Sequence, residues 1–153
     1  MIGDIQIIGA GAVGSAYAAL LYDMDPNCVS FLASGNRLAR LREQGIVVNG
    51  KAYSIPVLDA GASHPPADLL IVAVKHYHLP QAIGEMKNAI GDRTIVVSLM
   101  NGIDSEERIG TVYGPEKLLY AVVVGIDALR QGNAVTYTSQ GKIFFGEKGS
   151  RGP

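Results

Sequence analysis

Cysteine occurs once in this chain, at Cys28, so no internal disulfide can form, and a reducing compartment, the cytoplasm, is the expected setting. A small thiol at a strand start is the expected reading of Cys28, in preference to a catalytic nucleophile. An excess of either charge is also missing. With 13 Lys+Arg against 14 Asp+Glu the net charge is -1 and the pI is near 6.3. No basic field exists to attract nucleic acid or an anionic membrane surface, so neither is expected as a partner. No apolar run reaches the length of a membrane span. The nearly uncharged stretch 7–22 is interrupted by Gly9, Gly11 and Gly14, and the first basic residue of the chain is Arg37, so it lacks the positive flank of a secretory leader. Internal repeats and low-complexity segments are absent. What remains is a chain of 153 residues that is 48% hydrophobic and 18% charged, with mean hydropathy +0.20. That is the size of one domain able to bury about two-thirds of its surface, with strands covered on both faces.

Apolar runs bounded by turn residues alternate with helical patterns. Residues 4–8 read as a strand followed at once by three glycines, and 12–22 as a helix. Residues 28–33 read as a second strand, and 36–44 as a helix ended by Gly45. Within 46–57, Asn49-Gly50 predicts a hairpin turn in which both central residues take positive φ. The unbroken run 69–74 (LLIVAV) suits a parallel strand. Apolar residues at 79, 83, 86 and 90 predict a helix stopped by Gly91. Residues 94–99 read as a strand, 105–109 as a short helix with a capping-box pattern at Asp104 and Glu107, and 118–124 as a further strand. Segments 134–137 and 142–145 read as a terminal antiparallel pair. The sum is an α/β fold: a doubly wound, mostly parallel Rossmann-type sheet with an inserted β-hairpin and an antiparallel C-terminal strand pair.

The chemistry concentrates at Gly9-Ala10-Gly11-Ala12-Val13-Gly14, a GxGxxG between a strand and a helix. The first glycine permits the turn, the second lets the main chain approach a pyrophosphate, and the third allows close strand–helix packing. The helix entrance supplies free N–H groups and a partial positive charge, so a diphosphate is held there without a lysine. The coenzyme is chosen about 20 residues further on, where an acid would take the ribose 2′-OH of NAD. This chain has Ala33-Ser34-Gly35-Asn36-Arg37 there and no carboxylate. Ser34 and Asn36 can hydrogen-bond and Arg37 can meet a 2′-phosphate, which favours NADP; a solvated helix arginine is the alternative for Arg37. Lys75 and Asn101 follow the strands at 69–74 and 94–99, placing both at the sheet edge that carries the glycine loop. The histidines 64, 76 and 78 have no Cys, Asp or Glu at ligand spacing, so they are expected as loop or rim residues and no metal site is predicted. No nucleophilic triad is visible, and no catalytic residue is assigned.

Together, IQIIGAGAVGS at the start, VAVKHYH at 72–78, SLMNGID at 98–104 and GIDALRQGNAV at 125–135 resemble the N-terminal half of ketopantoate reductase (2-dehydropantoate 2-reductase), across essentially the whole chain. The resemblance implies an oxidoreductase of pantothenate and coenzyme A biosynthesis that reduces a small 2-oxo acid with NADPH. It implies that residues 9–14 hold the pyrophosphate, that Lys75 lies beside the nicotinamide end, that Asn101 contacts both cofactor and substrate, and that Ala128 approaches the cofactor through its backbone. Members of this family commonly carry an arginine directly at the end of the second strand. Here Ala33 stands there, and the nearest basic residue is Arg37. The family's lysine general acid and its carboxylate partner belong to a C-terminal helical domain. Residues 1–146 are therefore expected to form the dinucleotide-binding domain and 147–153 a linker toward that absent domain, leaving a fragment that binds NADPH without turnover. A homodimer is compatible with this reading. Two others stay open: a stand-alone nucleotide-sensing module, and the cofactor half of another two-domain dehydrogenase.

Overall fold

The computed structural model describes residues 2–100 and 104–146. Eleven strands and four α-helices alternate along them in the expected manner. Strand β1 (Ile5–Ile8) is buried along its whole length and leads through the glycine loop into α1 (Ala12–Met24). Strand β2 (Val29–Ala33) leads into α2 (Gly35–Gln44), which ends at Gly45. Strands β3 (Ile46–Val48) and β4 (Lys51–Tyr53) form the hairpin, with Asn49 at φ 49° and Gly50 at φ 80° as its turn chemistry requires. The segment after it leaves the hairpin to become β5 (Val57–Asp59). Strand β6 (Leu69–Val72) is followed by a 3-10 turn at His76–His78 and by α3 (Leu79–Glu85). Then come β7 (Ile95–Ser98), α4 (Asp104–Tyr113), β8 (Leu118–Ile126), β9 (Leu129–Gln131), β10 (Ala134–Thr136) and β11 (Gln140–Gly146).

Seven strands form the main sheet in the order β11-β8-β7-β6-β1-β2-β5, parallel throughout except for β11. Ile5 pairs with Val29 on one side and with Leu69 on the other, so β1 is an interior strand beside the central β6. The chain winds outward from β1 to β2 and β5, then returns to β6 and winds the other way. The reversal falls between β1 and β6, and the carboxyl ends of those strands splay apart into a crevice. Alternation along each strand divides the core in two. Ile7, Phe31, Ile71 and Val97 belong to one cluster with Ala18 and Ala19 of α1. Ile8, Leu32, Leu70, Val72 and Val96 belong to the other, with Leu79 and Met86 of the α3 segment and Ile109 of α4.

A second sheet, β4-β3-β10-β9, covers the outer side of α1, with Ile46, Val48, Tyr53 and Val135 in the same cluster as the α1 alanines. Here the pairing differs from the sequence expectation. Segments 134–137 and 142–145 were expected to pair with each other. Both form strands with an antiparallel neighbour, but β10 pairs with β9 and β11 with β8. The cause is the nine-residue β8, which runs beyond β7 and offers a long open edge to β11 from Tyr120↔Gly146 to Ile126↔Gln140. Val135, 1% exposed, is instead buried over α1 beside β3. Two-residue alternation assigns a strand's face, not its partner. The helix expected over 79–90 is also divided, with a 3-10 turn at Lys87–Ala89 after α3. Asn88 in that turn donates from Nδ2 to the carbonyls of Ala60 and Ala62, at 3.1 Å each.

Candidate functional site

The glycine loop sits where β1 meets the crevice, and its three glycines do different work. A Cβ on Gly9, at φ 112°, would stand 2.4 Å from the carbonyl oxygen of Ala73, just past β6. A Cβ on Gly14 would stand 1.9 Å from the carbonyl oxygen of Gly9. Both positions are closed to any side chain by backbone. A Cβ on Gly11 would meet nothing within 4 Å, because Gly11 caps α1 at the open side. The first turn of α1 carries no acidic residue, so nothing there opposes an anion. Its leading N–H groups have no partner within the helix.

This entrance opens onto a cavity of about 720 Å³ lined by the loop, the ends of β1, β2 and β6, the inner side of α2, and residues 128–130, 132 and 133. Among the described residues its permanent charges are Arg37 and Arg40 from α2, Lys75 beyond β6 and Arg130 from β9, against the single carboxylate Glu85. Arg130 Nη1 donates to the Ala10 carbonyl at 3.3 Å, and its Nε donates to Gly132 O at 2.8 Å, which holds a guanidinium at the glycine loop. Arg37 Nη2 lies 2.8 Å from both ring nitrogens of His78. A neutral imidazole has one lone-pair nitrogen, so only one of them accepts at a time. Partial burial, then the Arg37 and Lys75 cations, hold the His78 pKa below its usual 6.5, with Glu85 opposing them.

Of the residues singled out in the sequence, Gly9, Ala10, Gly11, Ala12, Arg37, Lys75 and Ala128 line this one cavity. Val13 packs into the core and Gly14 lies behind the loop, so these two shape the entrance from outside the cavity wall. Ser34, the N-cap residue of α2, makes no capping hydrogen bond, and neither it nor the exposed Asn36 is part of the wall. Asn101 lies outside the described residues. His76 faces Asp104, with Nε2 to Oδ2 at 3.9 Å, and His64 sits beside the Pro65 carbonyl. Cys28 is half-buried, its Sγ 3.6 Å from Leu21 O, and burial pushes its thiol pKa up.

Sequence reading missed Arg40, Arg130 and His78 as parts of the site. Arg40 could have been found, since it stands three residues after Arg37 on one helix face. Arg130 could not, because its partner lies 120 residues away. Also missed was the buried chain under the end of β7, where Ser98 Oγ meets Ser105 Oγ at 2.8 Å and Ser105 Oγ donates to Glu106 Oε1 at 2.8 Å. Glu106 is 2% exposed, and burial raises its pKa. This chain ties α4 to the carboxyl end of β7.

The comparisons with known proteins agree with the fold. The family model described as "Ketopantoate reductase PanE/ApbA" matches residues 5–150. A 2-dehydropantoate 2-reductase of Aquifex aeolicus is 26% identical over 151 residues, covering 96% of this chain and 47% of that protein. One of Pyrococcus horikoshii is 34% identical over 107 residues, covering 69% of this chain and 35% of that protein. Among solved structures, a D-mandelate dehydrogenase in a ternary complex with NADH and anilino(oxo)acetate superposes with a TM-score of 0.78 at 25% identity, covering 92% of this chain and 47% of that one. The chain thus spans about half the length of the Aquifex protein and of the solved dehydrogenase, and about a third of the Pyrococcus one.

Proposed function

The chain belongs to the ketopantoate reductase family, and from that membership we propose that it is the coenzyme-binding half of an NADPH-dependent 2-dehydropantoate 2-reductase. The observation that carries the proposal is the open side of Gly11 at the α1 entrance, facing a cavity whose described lining residues include four permanent cations and one carboxylate. A coenzyme with a diphosphate and a 2′-phosphate fits that charge balance and that unobstructed backbone. In this reading the amides of residues 9–14 and the Arg130 guanidinium hold the diphosphate. Arg37, with Ser34 and Asn36 on the same turn, receives the 2′-phosphate. Lys75 and Ala128 border the nicotinamide end, and Asn101 contacts coenzyme and substrate. When bound, the coenzyme supplies the hydride.

What the chain's own residues do is bind, orient and neutralise. Ile8, Val74 and Leu129 give the cavity apolar lining against which the coenzyme would pack, while Lys75 brings positive charge to the strand end where a carbonyl would develop negative charge. We assign the proton donor to a helical domain outside these 153 residues. The exposed apolar side chains Val122, Val124 and Phe144, on one face of the β8–β11 pair, support such a covering element.

A second reading, the coenzyme half of a different 2-oxo or 2-hydroxy acid dehydrogenase, is favoured by the likeness to the D-mandelate dehydrogenase and by Ala33 at the end of β2. Titration of the chain with NADPH and NADH, followed by assay of the full-length protein on a panel of 2-oxo acids, separates the two. Tight NADPH binding and a preference for 2-dehydropantoate support the first. A preference for NADH and an aromatic 2-oxo acid supports the second.

A further inference from the structure

His78 is the one imidazole in the cavity wall, and nothing in the coenzyme reading above gives it a role. It lies just before α3, facing α2 across the mouth of the crevice, and its ring is the hydrogen-bond partner of Arg37 at 2.8 Å. The contact joins residues 41 apart in sequence and brings a titrating group to the cation that the coenzyme reading assigns to the 2′-phosphate.

We propose that His78 is a second ligand of the coenzyme's 2′-phosphate, neutral while it accepts from Arg37 and protonated when the phosphate arrives. The proposal rests on the NADPH reading and specifies how that site tells NADPH from NADH. The charged groups acting on His78 are Arg37 from α2, Lys75 from the end of β6 and Glu85 from α3, with Arg40 of α2 in the same cavity wall and the exposed Tyr77 ring edge-on at 4.2 Å. Partial burial, then the Arg37 and Lys75 cations, outweigh the Glu85 carboxylate and hold the imidazole toward its neutral form. A phosphate monoester is mostly a dianion at pH 7, with its second pKa near 6. Placed between Arg37 and His78 it reverses the local field, draws Arg37 Nη2 away from the ring, and raises the imidazole pKa. The ring then takes one proton from solvent and donates to a phosphate oxygen. NADH, with a hydroxyl at that position, brings no such charge.

The sign follows from linkage. A ligand that raises a group's pKa takes up protons between the free and bound pKa values, and binds more weakly as pH rises through that window. The test is calorimetric titration of the 153-residue chain at pH 7 in two buffers of different ionisation enthalpy, with NADPH and with NADH, on the wild type and on His78→Gln. The glutamine keeps an acceptor for Arg37 but cannot titrate. We expect proton uptake approaching one per NADPH, close to none with NADH, and none for either in His78→Gln. The NADPH dissociation constant of the wild type should rise by up to about tenfold per pH unit above neutrality, while that of the variant stays flat. NADPH binding with no uptake, or with the same uptake in His78→Gln, overturns the role of His78 and leaves the coenzyme site standing. Failure of both coenzymes to bind overturns the site as well. If His78→Gln does not fold, the wild-type comparison of NADPH with NADH still decides, because uptake equal for the two coenzymes refutes a phosphate-linked proton.

Discussion

A side-chain carbon on Gly14 would stand 1.9 Å from the carbonyl oxygen of Gly9, so the first turn of α1 rests directly on the loop that leaves β1. This approach aims the entrance of α1 at the crevice between β1 and β6. The same loop presents Gly11, where a side chain would meet nothing within 4 Å. Close packing thus requires Gly9 and Gly14, while Gly11 leaves the open side of the same hexapeptide unobstructed.

Gly14→Ala should destabilise the fold by about 1 to 3 kcal/mol or more, since backbone rather than a flexible side chain occupies the space. Gly11→Ala should change stability by less than about 1 kcal/mol, because an extended cap residue tolerates alanine. Its NADPH affinity should nevertheless fall, the added methyl keeping the diphosphate off the amides. Chemical denaturation and coenzyme titration of the two variants check this separation, and equal stability losses would refute it.

Arg37→Ala and Arg130→Ala should differ in which coenzyme they affect. Removing Arg37 should weaken NADPH by about 1.5 to 3 kcal/mol and leave NADH unchanged, the usual worth of a hydrogen bond to a charged group. Removing Arg130, which sits at the Ala10 carbonyl, should weaken both coenzymes by similar amounts because both carry the diphosphate. Paired titrations of each variant read the difference directly.

Much of this was legible in the sequence for local reasons. Gly9, Gly11 and Gly14 announced the strand–turn–helix because each is tied to backbone a few residues away, or to open space. Asn49-Gly50 announced its turn because the φ requirement lies within the dipeptide itself. The partners of β10 and β11 were not legible, since alternation in 134–137 and 142–145 marks buried faces and is silent on neighbours. Nor were Arg130 beside Ala10, or His78 beside Arg37, because each contact is made by the fold's closure rather than by spacing. Residues 9–12 and Lys75 line one cavity, as strand ends of a parallel sheet that share an edge should, and Arg37 and Ala128 line it with them.

Glu106 should make stability fall on the alkaline side of its unfolded pKa. Burial raises its folded pKa above the ordinary 4.5, so the folded state binds the proton more tightly than the unfolded chain does. That contribution is fully present below the unfolded pKa and is lost as pH rises toward the folded value. Glu106→Gln keeps an acceptor for Ser105 Oγ and should flatten the profile there. Urea denaturation midpoints from pH 4 upward test it, and parallel profiles for the two proteins would contradict the assignment.

The 153-residue chain should bind NADPH yet show no appreciable oxidation of it when 2-dehydropantoate is added, because the proton donor is assigned elsewhere. Loss of absorbance at 340 nm is the readout. Robust turnover by the purified chain would place the acid within these 153 residues.

The central claim is that a dinucleotide rests its diphosphate on the entrance of α1. A crystal structure of the chain grown with NADPH measures this most directly. The account predicts the diphosphate against the amides of residues 11–13, on the side of Gly11 and within reach of Arg130. Density for the coenzyme anywhere else, or none at saturating NADPH, would contradict it.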